Sequence, residues 1–261
     1  MAKHPLPTPV GHGSATPTRN RPPPTSGDNR LLAILPPADR NRIVSTFELV
    51  PLTLKTLVQP PGQPVRFVYF PAGGFISVVT VLQDGTMVET ATVGREGAVG
   101  VTGALEDAPA DGAAMVQGES DACYRMTAAA YRDEMERRGP FYAVMTRYTH
   151  AFLAFVMQST ACNAVHSVEQ RLARWLLMAQ DRIEANEFPL TQEFVAMMRG
   201  TSRQRVAIVA GILQTAGLIT YRRGVVTVRN RENLEARHAS ATRRPVNCSR
   251  TVTPDGDTGS R

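Results

Sequence analysis

Cysteine is scarce: the 261-residue chain holds three, Cys123, Cys162 and Cys248, far apart and without a Cys-x-x-Cys pair. Such spacing argues against a disulfide framework, a zinc knuckle or a cysteine-ligated cluster and leaves isolated reduced thiols. Long apolar runs are lacking too. None approaches the roughly 18 consecutive apolar residues of a membrane-spanning helix, and the N-terminus has no apolar stretch of the secretory kind. A cytoplasmic protein without a membrane partner is the expectation. Catalytic motifs are also missing: no Gly-x-Ser-x-Gly elbow, His-Glu-x-x-His pair or P-loop accompanies His4, His12, His150, His166 and His238. Asp133, Glu134 and Glu136 alternate with Arg132, Arg137 and Arg138, the pattern of a solvated face rather than of paired acid–base catalysts. No catalytic residue, metal ligand or cofactor is assigned, and an enzyme is not expected.

What is present is a chain with enough apolar residues, 43%, to bury two cores, and a net charge of +6 that is unevenly spread. Residues 31–190 hold 13 Lys plus Arg against 17 Asp plus Glu, whereas residues 191–238 hold eight Arg against three Glu. A mildly acidic body joined to an arginine-only basic segment places polyanion contacts in one module. Residues 1–28, with seven prolines, and residues 239–261 are too polar to offset the entropy of ordering and read as disordered tails.

Between the tails, Leu52–Leu57, Val65–Phe70, Phe75–Val81 and Met87–Val93 read as short strands, with more near Ala114–Gln117 and Ala122–Met126. Asp84-Gly85 between two of them marks a hairpin in which both turn residues are expected at positive φ. Short, evenly spaced strands predict an antiparallel β-roll or jelly-roll barrel over residues 29–140, within an α+β fold. A helix follows from about Ala128, a break at Gly139-Pro140, and a long helix over 141–166. Along it Tyr148, Phe152, Phe155, Ser159 and Cys162 fall at 4-3-4-3 spacing, which predicts a seam with the partner helix of a homodimer in preference to burial inside one protomer.

Residues 167–238 read as a winged helix-turn-helix. Thr191 is suited to cap a first short helix, Gly200 supplies the turn, and a second helix begins at Thr201, which forms a capping-box pattern with Gln204. Val206, Val209 and Leu213 point inward, leaving Ser202, Arg203, Gln204 and Arg205 outward at the helix start, where a recognition helix reads the major groove. Arg203 is the first choice for a base contact. Gln204 has a competing use in the capping box, and Arg199 and Arg205 suit phosphates. After Gly217, Thr220–Val228 reads as a wing with Arg222 and Arg223 at its tip.

This order of parts resembles the Crp/Fnr family of bacterial transcription regulators: a cyclic-nucleotide-binding-like barrel, a dimerisation helix and a winged helix. The resemblance runs from about Asn29 to His238, through Leu31-Leu32-Ala33-Ile34-Leu35-Pro36, Val68-Tyr69-Phe70-Pro71 and Thr201-Ser202-Arg203-Gln204-Arg205. It implies a regulator that binds a palindromic operator on double-stranded DNA as a dimer, with RNA polymerase a further partner and a small-molecule effector, or none, on the barrel. The alternative is a ligand-binding or protein-interaction module whose winged helix no longer reads DNA. Two departures bear on the effector. Where members that bind cyclic AMP carry a glutamate for the ribose, Gly97-Ala98-Val99-Gly100 places Ala98, and their Arg-Ser phosphate grip aligns near Asp111-Gly112. Cyclic AMP in the usual pose is therefore not expected. Gly94, Gly97, Gly100 and Gly103 read as barrel turns in preference to a phosphate cradle.

Overall fold

The computed structural model describes residues 29–106, 108–190 and 203–239, and within them the α+β order holds: β-rich first part, long helix, C-terminal helix and wing. The chain enters through α1 (Arg30–Ala33) and α2 (Pro37–Ile43). Asn29 is fully buried; its Oδ1 accepts from the backbone N–H groups of Leu31 and Leu32, and its Nδ2 donates to the carbonyls of Pro71 at 3.0 Å and Gly97 at 2.8 Å. One side chain thus caps the helix and ties it to two turns of the barrel.

The first part contains β1 (Phe47–Leu52), β2 (Leu57–Gln59), β3 (Phe67–Pro71), β4 (Phe75–Val81), β5 (Met87–Val93), β6 (Ala113–Gly118) and β7 (Ser120–Thr127). They form two antiparallel sheets, ordered β1-β7-β3 and β2-β6-β4-β5. β4 and β5 have the expected bounds, but Leu52–Leu57 is not a strand. Strands flank it on both sides, with Lys55 between them at φ 66°. Pro51 lacks the N–H that a central strand needs; it sits in edge strand β1 where the register against β7 slips between Val50 and Leu52. The Asp84-Gly85 hairpin is present, closed by Gly85 N–H to Leu82 O at 2.9 Å, yet only Gly85 takes a positive φ. Asp84 instead accepts from Thr86 N–H through its carboxylate, which makes this the wider hairpin loop with one left-handed glycine.

The glycine series shows close packing. A Cβ on Gly97 would lie 2.7 Å from Tyr148 Oη, and one on Gly100, at φ 92°, 2.7 Å from Phe67 O. Gly103 departs from the turn expectation, because it lies in α3 (Val101–Glu106) against Val65.

α4 (Ala128–Glu136) starts at Thr127, whose hydroxyl accepts from Ala130 N–H, and α5 (Pro140–Val165) starts after Gly139 with proline at its first position. α6 (Val168–Ile183) opens with a reciprocal capping box between Ser167 and Gln170. It is followed by β8 (Glu187–Pro189), α7 (Arg203–Thr215), β9 (Ile219–Arg222), β10 (Val225–Val228) and α8 (Arg231–Ala239). β8 and α8 were not anticipated from the sequence. β8 adds a third strand to the wing, in the order β8-β10-β9, and α8 packs on α6, with Arg231 paired to Asp181 and Arg237 to Glu169.

α6 joins the two halves. Leu172, Leu176, Val206, Leu213 and Val226 share one apolar cluster with Phe75, Val79, Met87 and Met115 of the barrel. Trp175 meets Phe75 edge-on, ring centroids 5.9 Å apart, and donates from Nε1 to Glu89 at 3.4 Å. Arg182 Nη2 pairs with Glu96 at 2.6 Å, both side chains nearly buried, and also donates to the Thr92 carbonyl.

Candidate nucleic-acid interface

α7 buries Val206, Ala210 and Leu213, with Val209 packed partly against the same core, so the inward stripe runs at helical spacing as expected. The opposite side carries Gln204, Arg205, Ile208 and Ile212, all exposed; Ile208 is 63% exposed, a large apolar residue left in water beside two polar ones. Arg203 opens α7. Its side chain, and all of Arg199, Thr201 and Ser202, lie outside the described residues, as does the expected first helix from Thr191.

The end of α7 is set by Gly217 at φ 71°. Gly217 N–H donates to Gln214 O and Leu218 N–H to Leu213 O, the paired bonds of a Schellman cap, which turn the chain straight into β9. β9 and β10 pair in register from Ile219↔Val228 to Arg222↔Val225, closed by the two residues Arg223 and Gly224 at φ 50° and 77°. Two successive left-handed residues are the tight hairpin whose twist matches its strands. That turn fixes Arg222 and Arg223 as exposed side chains at the wing tip, and neither forms an ion pair among the described residues. Arg231 and Arg237, by contrast, are engaged in holding α8 to α6. The segment's basic charge is therefore divided between structural pairs on α8 and an outward set on α7 and the wing.

The expected dimer seam is corrected by the structure. Tyr148, Phe155, Ser159 and Cys162 are buried within the protomer, and Phe152 is half-buried with its ring stacked on Tyr148. Tyr148 donates to Ala98 O at 2.7 Å, and Arg174 of α6 lies over the Phe155 ring and near Ser159. A 4-3-4-3 apolar row marks a helix face that packs closely, and here the barrel and α6 take that face. A second row was overlooked: His150, Leu153, Met157, Thr160 and Ala164 at 3-4-3-4 spacing, all exposed, with Leu153 at 56% and Met157 at 65%. Exposed Leu and Met on a mostly apolar helix were the available signal.

At the barrel, Ala98 is buried and its carbonyl is taken by Tyr148, while Asp111 faces solvent. The long helix thus closes directly onto the Gly97–Gly100 segment.

A family model described as a Crp-like helix-turn-helix domain matches residues 170–237. No curated protein matches the sequence. Among solved structures, a Crp/Fnr-family protein from Eubacterium rectale is similar with a TM-score of 0.63 at 15% identity, over 78% of this chain and 95% of that one. The c-di-GMP responsive global regulator CLP of Xanthomonas campestris gives 0.57 at 18%, over 72% and 96%. FixK2 of Bradyrhizobium japonicum gives 0.56 at 18%, over 74% and 98%. Identities this low speak to fold alone. Residues 170–237 are a Crp-like helix-turn-helix domain, carried on a chain with the fold of the Crp/Fnr transcriptional regulators.

Proposed function

We propose that this chain regulates transcription by binding double-stranded DNA as a homodimer on a two-fold symmetric operator. The observation that carries the reading is the outward polar set on α7 and the wing: Gln204, Arg205, Arg222 and Arg223 are exposed on a domain that buries its other face. Arg203, at the start of α7, is assigned to a guanine edge and Gln204 to an adenine edge, with Thr201 and Ser202 beside them. Arg199, Arg205, Arg222 and Arg223 are assigned to phosphates, which fix register without reading sequence. Ile208 suits the methyl group of a thymine. A second copy docks along Leu153 and Met157 of α5, and RNA polymerase is the partner through which a bound dimer acts. No described helix is long and apolar enough to cross a membrane, which agrees with action in the cytoplasm. The effector is not cyclic AMP in the usual pose, since Ala98 replaces the acidic contact and its carbonyl is occupied by Tyr148.

The test is a salt titration of binding to promoter-length duplex. Each phosphate contact contributes about 0.9 to the slope of log affinity against log salt, so R222A/R223A is expected to flatten that slope by about 2 without changing the preferred sequence. A slope near zero for the parent chain would favour an interaction module that does not read DNA.

A further inference from the structure

A small cleft, partly open to solvent, lies where β5, α5 and α6 meet, and none of the roles above uses it. Its walls contain an unusual cation. Arg174 is half-buried and forms no ion pair among the described residues; its contacts are Ser159 Oγ at 3.4 Å and the Phe155 ring, 5.6 Å from its centroid. Burial is the main influence on it and, with the charge of Arg182, holds the guanidinium below its ordinary pKa against smaller opposing effects from Cys162 and Glu89. A charge so placed is costly unless an anion meets it. Arg171, one turn earlier on α6, lines the same cleft. The Glu89 carboxylate is already engaged, accepting from Ser77 Oγ and from Trp175 Nε1. Thr92 is 4% exposed, and its hydroxyl has no protein hydrogen-bond partner. Phe155 and Trp175 add aromatic wall.

We propose that this cleft is the regulator's effector site and that its ligand is a small organic anion. The oxyanion head sits on Arg174 and Arg171 with the Thr92 hydroxyl as an additional donor, and a short apolar body lies against Phe155 and Trp175. The inference rests on the regulatory reading above and supplies its signal class. A ligand there touches the barrel, the long helix and the first helix of the Crp-like domain together, and can favour one arrangement of the three by its differential contacts.

Trp175 is the single tryptophan of the chain, so its fluorescence reports occupancy directly. The full chain is titrated at constant ionic strength with benzoate, phenyl phosphate and neutral benzyl alcohol; the two anions separate a carboxylate from a phosphate head. The expected result is a saturable change with at least one anion and none with the alcohol. Arg174→Gln should weaken binding about tenfold or more, as loss of a charged hydrogen bond does, and Arg174→Lys should restore part of it. Thr92→Val is a second variant expected to weaken binding if Arg174→Gln melts early. No saturable response to either anion, an equal response to benzyl alcohol, or full affinity in both Arg174→Gln and Thr92→Val would overturn the proposal. DNA binding is measured on the same preparation. DNA binding without an anion response sinks the effector site alone, whereas an anion response without DNA binding sinks the regulatory reading and leaves the cleft a ligand site.

Discussion

The Asn29 side chain satisfies two helix N–H groups and two carbonyls from a site with no solvent access. Asn29→Ala leaves those groups buried and unpaired, and is expected to lower stability by about 2–4 kcal/mol, read from the denaturant midpoint. Gly97→Ala forces a methyl to 2.7 Å from Tyr148 Oη, against the bond that Tyr148 makes to Ala98. It should cost about 1–3 kcal/mol by overpacking, and Gly97→Ala with Tyr148→Phe should recover part of that loss in a double-mutant cycle. At the interface, Arg203→Ala is expected to cost about 1–3 kcal/mol of DNA affinity and to relax one base of each half-site. Unchanged specificity would remove Arg203 from the base-reading role. At this scale the sequence was partly legible. The outward placement of Gln204, Arg222 and Arg223 was legible because turn chemistry and helix phase fix which side they take. Asn29, Glu96 and Arg182 were not, since their partners lie far away in the chain.

α5 shows how a periodic pattern can be right and its partner wrong. Both rows obey coiled-coil spacing, and spacing alone does not distinguish the row facing the barrel and α6 from the row facing outward. Phe155 is core, so Phe155→Asp should unfold the protomer. Leu153→Asp with Met157→Asp should instead give monomers by sedimentation while leaving the melting temperature of the protomer little changed. A persistent dimer would place the pairing surface elsewhere. α8 was missed because its residues are mostly polar; Leu234 is its one buried large apolar side chain, and ion pairs with α6 hold the rest. It also introduces a titratable group at that contact. Burial, then the charges of Arg174 and His166, holds His238 below its ordinary value of 6.5, against a weaker opposing effect from Glu235. A depressed histidine stabilises the fold above its unfolded pKa, and that contribution is lost as pH falls below about 6.5 toward the folded value. The melting temperature should therefore drop between pH 7.5 and 5.5, and by less in His238→Gln.

Across the whole molecule, the barrel and the Crp-like domain share one apolar cluster through α6 instead of meeting across a wet interface. Trp175 is central to it, and Trp175→Ala should cost about 3–5 kcal/mol and uncouple the melting of the two halves. The Glu96–Arg182 pair stiffens the same junction. Burial pushes the Glu96 carboxyl up, but the Arg182 guanidinium and nearby backbone N–H groups outweigh it and leave the carboxyl below its ordinary range. Its contribution is present above the usual carboxylate pKa and lost in acid. The order of parts was legible from strand spacing, glycine and proline breaks and charge segregation; the docking of halves was not, because it depends on contacts such as Trp175 with Phe75, a hundred residues apart. The central claim, a dimer reading symmetric DNA, is tested most directly by selecting duplexes from a random library with the full-length chain. The account predicts an enriched two-fold symmetric site with half-sites about 10 base pairs apart, centre to centre. Recovery of no preferred sequence, or of a single asymmetric site, would contradict it.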